Sequence, residues 1–234
     1  MILYRGIAVE RAKVNEVISN IKENGIIGNE GFWNFIGWNL RKDIERLFHK
    51  QDLTLDDTRK GFEKFPVVAF ADKLGAYYYA LRHNYEAGRI PLIIKVEINA
   101  SKKYVYIDGR DFLYPVFQGW DHGNLVKRYG IQKTFEIVAK TLKQIYGDKL
   151  IKYFQKAAVS KEQSYRIAMC DLATHDIDIV KEHLNNKIVI GGRYNVVFRS
   201  SFFVEAPITP DEIVKIFVPN ASKFDFNPQT QIYK

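Results

Sequence analysis

Short apolar runs with β-strand character lie near both ends of this chain, and a long helical stretch separates them. Near the N-terminus the runs are Ile2–Ile7 and Val67–Phe70, and near the C-terminus they cover residues 202–207 and 213–219. Between them, residues 132–158 carry apolar side chains at helical spacing, and we expect Gly147 to divide this stretch into two helices. Apolar positions at helical spacing also follow the first run, and Asn24-Gly25 predicts the end of that helix. Because regular strand–helix–strand alternation is absent, this order predicts an α+β fold. We expect one domain, residues 1–234, with a helical insert at about 110–190.

The net charge of the chain favours an anionic partner. Lysine and arginine total 35 against 27 aspartate and glutamate residues, which gives a formal charge of +8. A net positive charge of this size is typical of proteins that bind nucleic acid. The basic residues are spread along the sequence, however, and no arginine-rich tail accompanies them. Charge by itself therefore favours nucleic acid only slightly over a protein partner.

Several classes of function are excluded by residues that the sequence lacks. Cys170 is the single cysteine, so neither an intramolecular disulfide framework nor a cysteine-rich zinc module can form. The five histidines lack metal-ligand spacing, and the patterns GxxxxGK[ST], GxSxG and HExxH are absent. No apolar stretch is long enough to cross a bilayer, and the N-terminus does not resemble a signal peptide. We expect no metal cofactor, no membrane partner and a cytoplasmic location.

Three segments carry polar groups where apolar strands predict burial. In the first, Arg5 interrupts a strand and Gly6 follows it. In the second, Asp72 ends an apolar run at the position of a helix cap, and three tyrosines follow at 77–79. In the third, Glu205 ends the run Phe202–Val204. Burying a charge is costly unless it is paired, so Arg5 and Glu205 each need a partner or a function.

In this order the three segments resemble the ADP-ribosyltransferase superfamily, which includes bacterial toxins and the catalytic domains of poly-ADP-ribose polymerases. The first segment is similar to the opening strand of the arginine–serine–glutamate branch, and the second to the YFAD segment of the polymerase branch. The third is similar to the strand of the catalytic glutamate, with its I.P.EI..I continuation. The resemblance implies split antiparallel β-sheets with flanking helices, and an NAD cleft between them.

The resemblance also implies a set of groups that bind NAD. Arg5 would hold the NAD phosphates or ribose, and the backbone of Gly6 would hydrogen-bond the nicotinamide carboxamide. Glu205 would hydrogen-bond the nicotinamide ribose and stabilise its developing positive charge. One of the three tyrosines would stack on nicotinamide, with Tyr79 assigned to the catalytic group beside Arg5 and Glu205. The other residues implied to bind NAD are Phe70, Asp72, Tyr77 and Tyr78.

Two departures from the family pattern bear on the acceptor. The Ser-Thr-Ser of the arginine branch is absent, and residues 69–72 (Ala-Phe-Ala-Asp) stand in its place. Arginine-modifying members carry a second carboxylate two residues before the catalytic glutamate, where this chain has Phe203. The family presents an acceptor loop before this strand, which corresponds to Arg193, Tyr194 and Asn195 here. Because that carboxylate is missing and the chain is basic, we expect an RNA or DNA acceptor.

The expected function is therefore a mono-ADP-ribosyltransferase that acts on nucleic acid, as a toxin or defence effector restrained by an antitoxin. Alternatives on the same scaffold are a protein-directed transferase, an NAD glycohydrolase and an RNA 2′-phosphotransferase. A non-catalytic basic module that binds nucleic acid is a further alternative. At the level of residues, Arg5 could instead pair with Glu97 or Glu205. Glu205 could also be an edge-strand charge that discourages aggregation.

Overall fold

The computed structural model describes residues 1–28, 66–83, 86–109, 113–118, 123–185 and 201–220. The strands are β1 (Ile2–Glu10), β2 (Val67–Ala71), β3 (Arg89–Glu97), β4 (Val105–Ile107), β5 (Ser201–Glu205) and β6 (Ile213–Phe217). The helices are α1 (Val14–Asn24), α2 (Lys73–Tyr78), α3 (Leu113–Gln118), α4 (Gly123–Val159), α5 (Gln163–His175) and α6 (Ile177–Asn185). Short 3-10 turns cover Arg11–Lys13 and Pro210–Glu212. The predicted α+β class is confirmed.

The described residues divide into two compact units. Unit 1 holds β1, α1, β2, α2, β3, β5 and β6, and unit 2 holds the helices α3 to α6. The boundary falls within β4, after Val105. The sequence predicted a single domain with a helical insert at about 110–190. In the structure, that helical stretch belongs to unit 2.

The strands form one six-stranded sheet in the order β4-β5-β2-β1-β3-β6. β1 pairs with β3 antiparallel along its whole length, from Ile2 opposite Glu97 to Glu10 opposite Arg89. β2 pairs with β5 antiparallel over five residues. By contrast, β1 and β2 share a single register pair, Tyr4 opposite Ala71. The two halves of the sheet therefore meet through one pair, and their strands are not hydrogen-bonded as a ladder beyond it.

One face of β1 is covered by α2 and by the π-helical turn Tyr79–His83 that continues it. A Cβ atom built on Gly6 would lie 1.8 Å from the carbonyl oxygen of Ala76 and 2.8 Å from the nitrogen of Ala80. The helix backbone thus rests directly on the strand, which only a glycine permits. Ala76, Ala80 and Ile93 are fully buried in this contact. Glycine at position 6 consequently has a packing role whatever it binds.

The helix boundaries of unit 1 follow local signals in the sequence. α1 ends at Asn24, and Gly25 follows with φ 75°, a left-handed conformation that glycine adopts without a steric penalty. At the start of α2, the Asp72 carboxylate accepts a hydrogen bond of 2.7 Å from the Gly75 backbone nitrogen. Both the stop at Asn24-Gly25 and the Asp72 cap are confirmed.

Unit 2 is built from helices around a buried apolar core. The stretch α4 is interrupted at Gly130 and Gly147, whose φ angles are 78° and 70°. The division predicted at Gly147 is confirmed. Its apolar side packs Leu142, Leu150 and Phe154, which are at most 2% exposed. Among the residues that the structure describes, no helix combines the length and the apolar character needed to cross a bilayer.

Candidate functional site

Arg5 lies where the two halves of the sheet separate. Its Nη1 donates a hydrogen bond of 2.7 Å to the carbonyl oxygen of Ala69 in β2. β1 and β2 pair only through Tyr4 and Ala71. The guanidinium therefore supplies the Ala69 carbonyl with the hydrogen-bond donor that a backbone nitrogen of β1 would supply in a continuous ladder. The side chain therefore occupies the gap between the two strands.

The Arg5 side chain is a half-buried cation, and its described hydrogen-bond partner is a neutral carbonyl. Burial lowers its pKa from the ordinary value, because removing the group from water disfavours the charged form. Of the residues that the structure describes, neither Glu97 nor Glu205 nor any other carboxylate lies within ion-pair distance of it. The alternative of an internal ion pair with Glu97 or Glu205 is not observed. A guanidinium in this setting can gain most from an anion with two or more oxygens, such as phosphate.

Phe70 and Asp72, both expected to bind NAD, have structural partners in the fold. Phe70 is 3% exposed and belongs to the core, so its ring is not open to a ligand. Asp72 uses a carboxylate oxygen to cap α2. Phe70 lies within β2, and Asp72 follows its last residue, Ala71, which pairs with Tyr4 of β1. Phe70 therefore contributes to core packing, and Asp72 fixes the start of α2.

The three tyrosines of α2 divide into one that packs and two that form a pair. Tyr77 contacts the buried cluster of Ala76, Ala80 and Ile93, and its ring lies 6.5 Å from that of Phe217. Tyr78 and Tyr79 make an edge-to-face contact at 5.9 Å. Tyr79 also begins the π-helical turn, a local conformation that is frequent at functional sites. All three tyrosines are half-buried, so each keeps part of its surface exposed.

Glu205 is not brought to Arg5. Paired residues of antiparallel strands share a face of the sheet, and alternate residues face opposite sides. Tyr4 pairs with Ala71, Ala71 with Ser201, and Val67 with Glu205. Glu205 therefore shares a face with Tyr4, whereas Arg5 is directed to the opposite face. The registers also place Glu205 two strands away from β1.

The Glu205 carboxylate makes a hydrogen bond that the sequence did not predict. Its Oε2 accepts from the backbone nitrogen of Tyr104 at 3.1 Å, while the Glu205 nitrogen donates to the Tyr104 carbonyl at 2.9 Å. The side chain is half-buried. Glu205 thus extends the hydrogen bonding between β5 and the segment that precedes β4. It is also a candidate catalytic group.

A second interaction that the sequence analysis missed holds the segment after β5. The Lys103 ammonium contacts Glu212 and the carbonyl oxygen of Pro207. Glu212 also accepts from the nitrogen and hydroxyl of Thr209, at 2.8 Å and 3.0 Å. The Thr209-Pro-Asp-Glu212 sequence is a capping-box pattern, so this half of the network was open to prediction. The partner Lys103, more than a hundred residues away, was not.

Unit 2 contains a buried polar cluster of its own. The Tyr114 hydroxyl donates to the Asp171 carboxylate, and the Thr174 hydroxyl donates to the Asp171 carbonyl at 2.9 Å. Burial raises the pKa of Asp171 to about 7, although the Tyr114 hydrogen bond opposes this. Nearby, His175 stacks on Tyr106 with ring centroids 4.3 Å apart, and burial lowers its pKa to about 3. Asp171 and Thr174 are buried whereas Tyr114 and His175 are half-buried, and the cluster is better suited to fixing α3 against α5 than to catalysis.

The raised pKa of Asp171 predicts a pH-dependent stability. Between about pH 4 and pH 7 the folded protein keeps a proton that the unfolded chain has lost, so the stabilising contribution of Asp171 is full at low pH and disappears as pH rises through about 7. From near pH 5 to near pH 8, the free energy of unfolding should fall by roughly 2–3 kcal/mol more in wild type than in Asp171→Asn. Urea unfolding across this range measures the difference.

The comparison with Asp171→Asn removes the contribution of His175, which has the opposite sign. A histidine with a lowered pKa costs stability as pH falls below its ordinary value. That cost is common to both proteins and cancels. Asparagine also keeps an oxygen acceptor for Tyr114. Parallel pH profiles of the two proteins would contradict the assignment.

Two further expectations concern the acceptor loop and metals. Arg193, Tyr194 and Asn195 lie outside the described residues. Within the described part of the chain, no three His, Cys, Asp or Glu side chains are grouped so that they could hold a metal ion.

Comparison with protein-family models, curated proteins and solved structures finds no match for this chain.

Proposed function

We propose that this protein binds NAD at the gap between β1 and β2 and transfers its ADP-ribose to a nucleic-acid acceptor. The observation that supports this most directly is the half-buried guanidinium of Arg5, which has a backbone carbonyl and no described carboxylate as its partner. A cation held in this way stabilises a bound diphosphate because the ligand supplies the missing negative charge. The order of the three sequence segments supports NAD as the source of that diphosphate.

In the proposed reaction, the protein needs mainly to bind NAD and the acceptor and to stabilise the positive charge that develops on the ribose. The bond between the ribose C1′ and the nicotinamide nitrogen breaks, and its electron pair leaves with neutral nicotinamide. An oxygen or nitrogen of the acceptor attacks C1′ and then gives up its proton to solvent or a nearby base. A carboxylate near the sugar stabilises the cationic transition state electrostatically. Glu205 is the proposed source, through the carboxylate oxygen that does not accept from the Tyr104 nitrogen.

The test is equilibrium binding of NAD together with release of nicotinamide, in wild type and in Glu205→Gln. Glutamine keeps an oxygen acceptor for the Tyr104 nitrogen, so the fold should be retained. We expect NAD to bind to both proteins and nicotinamide release to fall by about 100-fold or more in the variant, as for loss of a strong electrostatic contribution to catalysis. Equal release by both proteins would remove Glu205 from the mechanism. Absence of NAD binding by wild type would reject the proposal as a whole.

One observation favours a second candidate, a non-catalytic module that binds nucleic acid. Glu205 lies two strands from β1 and on the face opposite to Arg5, and its carboxylate continues the pairing of β5 toward β4. Such a residue has a structural role that needs no substrate. This candidate predicts nucleic-acid binding with neither NAD binding nor nicotinamide release, so the same experiment separates the two.

A further inference from the structure

Three lysines and two aromatic rings lie on the face of the sheet that α2 covers and on α2 itself. Lys95 in β3 pairs in register with Lys215 in β6, and Ile93 pairs with Phe217. The Lys73 ammonium lies 6.0 Å from the centre of the Tyr77 ring, and the Lys215 ammonium lies 5.5 Å from the centre of the Phe217 ring. Together Lys73, Tyr77, Lys95, Lys215 and Phe217 form what we call the lysine–aromatic face.

The lysines of this face are not neutralised by the residues that the structure describes. The described ion pairs of unit 1 use Lys13, Arg89 and Lys103 instead. Glu97 is two residues from Lys95 along β3, but it is exposed and does not pair with it. Like charges directly opposite one another destabilise a pair of strands. The face therefore holds a positive charge that folding alone does not favour.

Protection of a sheet edge accounts for only one of these lysines. β6 lies at an end of the strand order, and charged side chains on edge strands discourage pairing with another chain. That explains Lys215. Lys95 lies on β3, which is paired on both sides, and Lys73 lies at the start of α2. A purpose common to all three is the binding of an anion.

We propose that the lysine–aromatic face binds single-stranded nucleic acid. Proteins that bind single strands combine basic side chains along the backbone with aromatic rings on which bases stack. Tyr77 and Phe217 pack against the buried cluster on one side, are half-buried as residues, and each lie within reach of a lysine. A duplex keeps its base faces covered, and an acidic peptide has no bases to stack. The combination of charge and rings thus favours an unpaired strand.

The proposal deepens the proposed function, on which it rests in one respect: the bound strand would be the acceptor of ADP-ribose. The face belongs to the same unit as Arg5 and Glu205, and Lys95, opposite Tyr4, lies on the side of the sheet that Glu205 shares and that Arg5 faces away from. Binding of the strand itself needs no NAD. The two proposals can therefore fail separately.

The test measures fluorescence anisotropy of labelled DNA and RNA strands of about 12 nucleotides, without NAD. The triple variant Lys73→Gln, Lys95→Gln, Lys215→Gln is compared with a control triple, Lys22→Gln, Lys140→Gln, Lys152→Gln, which has the same net charge. We expect the first triple to lower affinity by about 10- to 100-fold near 0.1 M salt, and to reduce the slope of log K against log salt by about 2, since each phosphate contact contributes about 0.7. The control should stay close to wild type.

Phe217→Leu tests the aromatic part of the face with the charge unchanged. Loss of one stacked base should lower affinity by about tenfold with no change in the salt slope. Thermal melting checks that each variant folds. If the triple variant unfolds, the single variant Lys215→Gln, at an exposed position, is used in its place. Equal losses in the two triple variants would overturn the proposal in favour of diffuse attraction. Tighter binding of a duplex or of polyglutamate would overturn it in favour of another partner.

The same variants separate the acceptor role from binding. If the lysine–aromatic face holds the acceptor, the first triple variant should release nicotinamide as wild type does but transfer less ADP-ribose to the strand. If wild type binds the strand but does not turn over NAD, the strand-binding proposal stands and the enzymatic one fails.

Discussion

Arg5→Met should abolish NAD binding while leaving the fold almost as stable as wild type. Burial lowers the pKa of Arg5, and its described partner is the Ala69 carbonyl, so the folded protein holds this cation at a cost. Methionine removes that cost but leaves the carbonyl without its donor, and the two effects should offset to within about 1 kcal/mol. Loss of the guanidinium contacts to a diphosphate should weaken NAD binding by about 100-fold or more. Calorimetric titration and urea unfolding measure the two quantities.

Arg5→Lys is the matched control. Lysine keeps the charge and a donor for the Ala69 carbonyl, but it lacks the planar fork that grips two phosphate oxygens. NAD binding should therefore be intermediate, about tenfold weaker than in wild type. A Met variant that loses several kcal/mol of stability would instead give Arg5 a structural role. Unchanged NAD affinity in that variant would place the NAD site elsewhere.

Gly6→Ala should cause a large loss of stability in unit 1. The new Cβ would lie 1.8 Å from the Ala76 carbonyl oxygen and 2.8 Å from the Ala80 nitrogen, both of which are backbone atoms of the helix on β1. A backbone cannot rotate away as a side chain does, so the helix must move off the strand. We expect a loss of about 3 kcal/mol or more in the free energy of unfolding.

Gly88→Ala provides the comparison for this variant. Gly88 has φ 87°, and a Cβ built there meets no atom within 4 Å. Its substitution should therefore cost only the strain of a left-handed alanine, about 1–2 kcal/mol. Urea unfolding of both variants measures the contrast. Gly6 has no left-handed φ, so equal losses would show that α2 moves off β1 at little cost and that the close contact does not require a glycine.

The elements that sequence predicted well are those whose signals are local. The stop at Asn24-Gly25, the Asp72 cap and the break at Gly147 each depend on one residue and its neighbours. The strand β2 was recognisable because it is a short apolar run after a proline. These signals fix where an element starts and ends, but not which element it meets.

The partners of the charged residues were not predictable, because they depend on strand register over long separations. Arg5 reaches a carbonyl 64 positions away, and Glu205 reaches a backbone nitrogen 101 positions away. A shift of one residue in either pairing would turn the side chain to the other face. The sequence identified Arg5 and Glu205 as residues in need of partners. It did not show that they lie on opposite faces of the sheet.

The buried cluster of unit 2 illustrates the same limit. Asp171 follows Cys170 in a helix whose apolar pattern is ambiguous, and its partner Tyr114 lies 57 positions away. Nothing in the spacing of the two residues relates one to the other. Their contact arises from the packing of α3 on α5, which the sequence did not predict.

Transfer of ADP-ribose to nucleic acid is tested most directly with NAD labelled on its adenylate phosphate. The labelled NAD is incubated with the protein and with separate fractions of single-stranded DNA, single-stranded RNA and protein. Wild type, Glu205→Gln and Arg5→Met are run in parallel. We expect label in one nucleic-acid fraction with wild type, and in no fraction with either variant. Absence of both label transfer and nicotinamide release with wild type would contradict the account and leave the protein as a binding module.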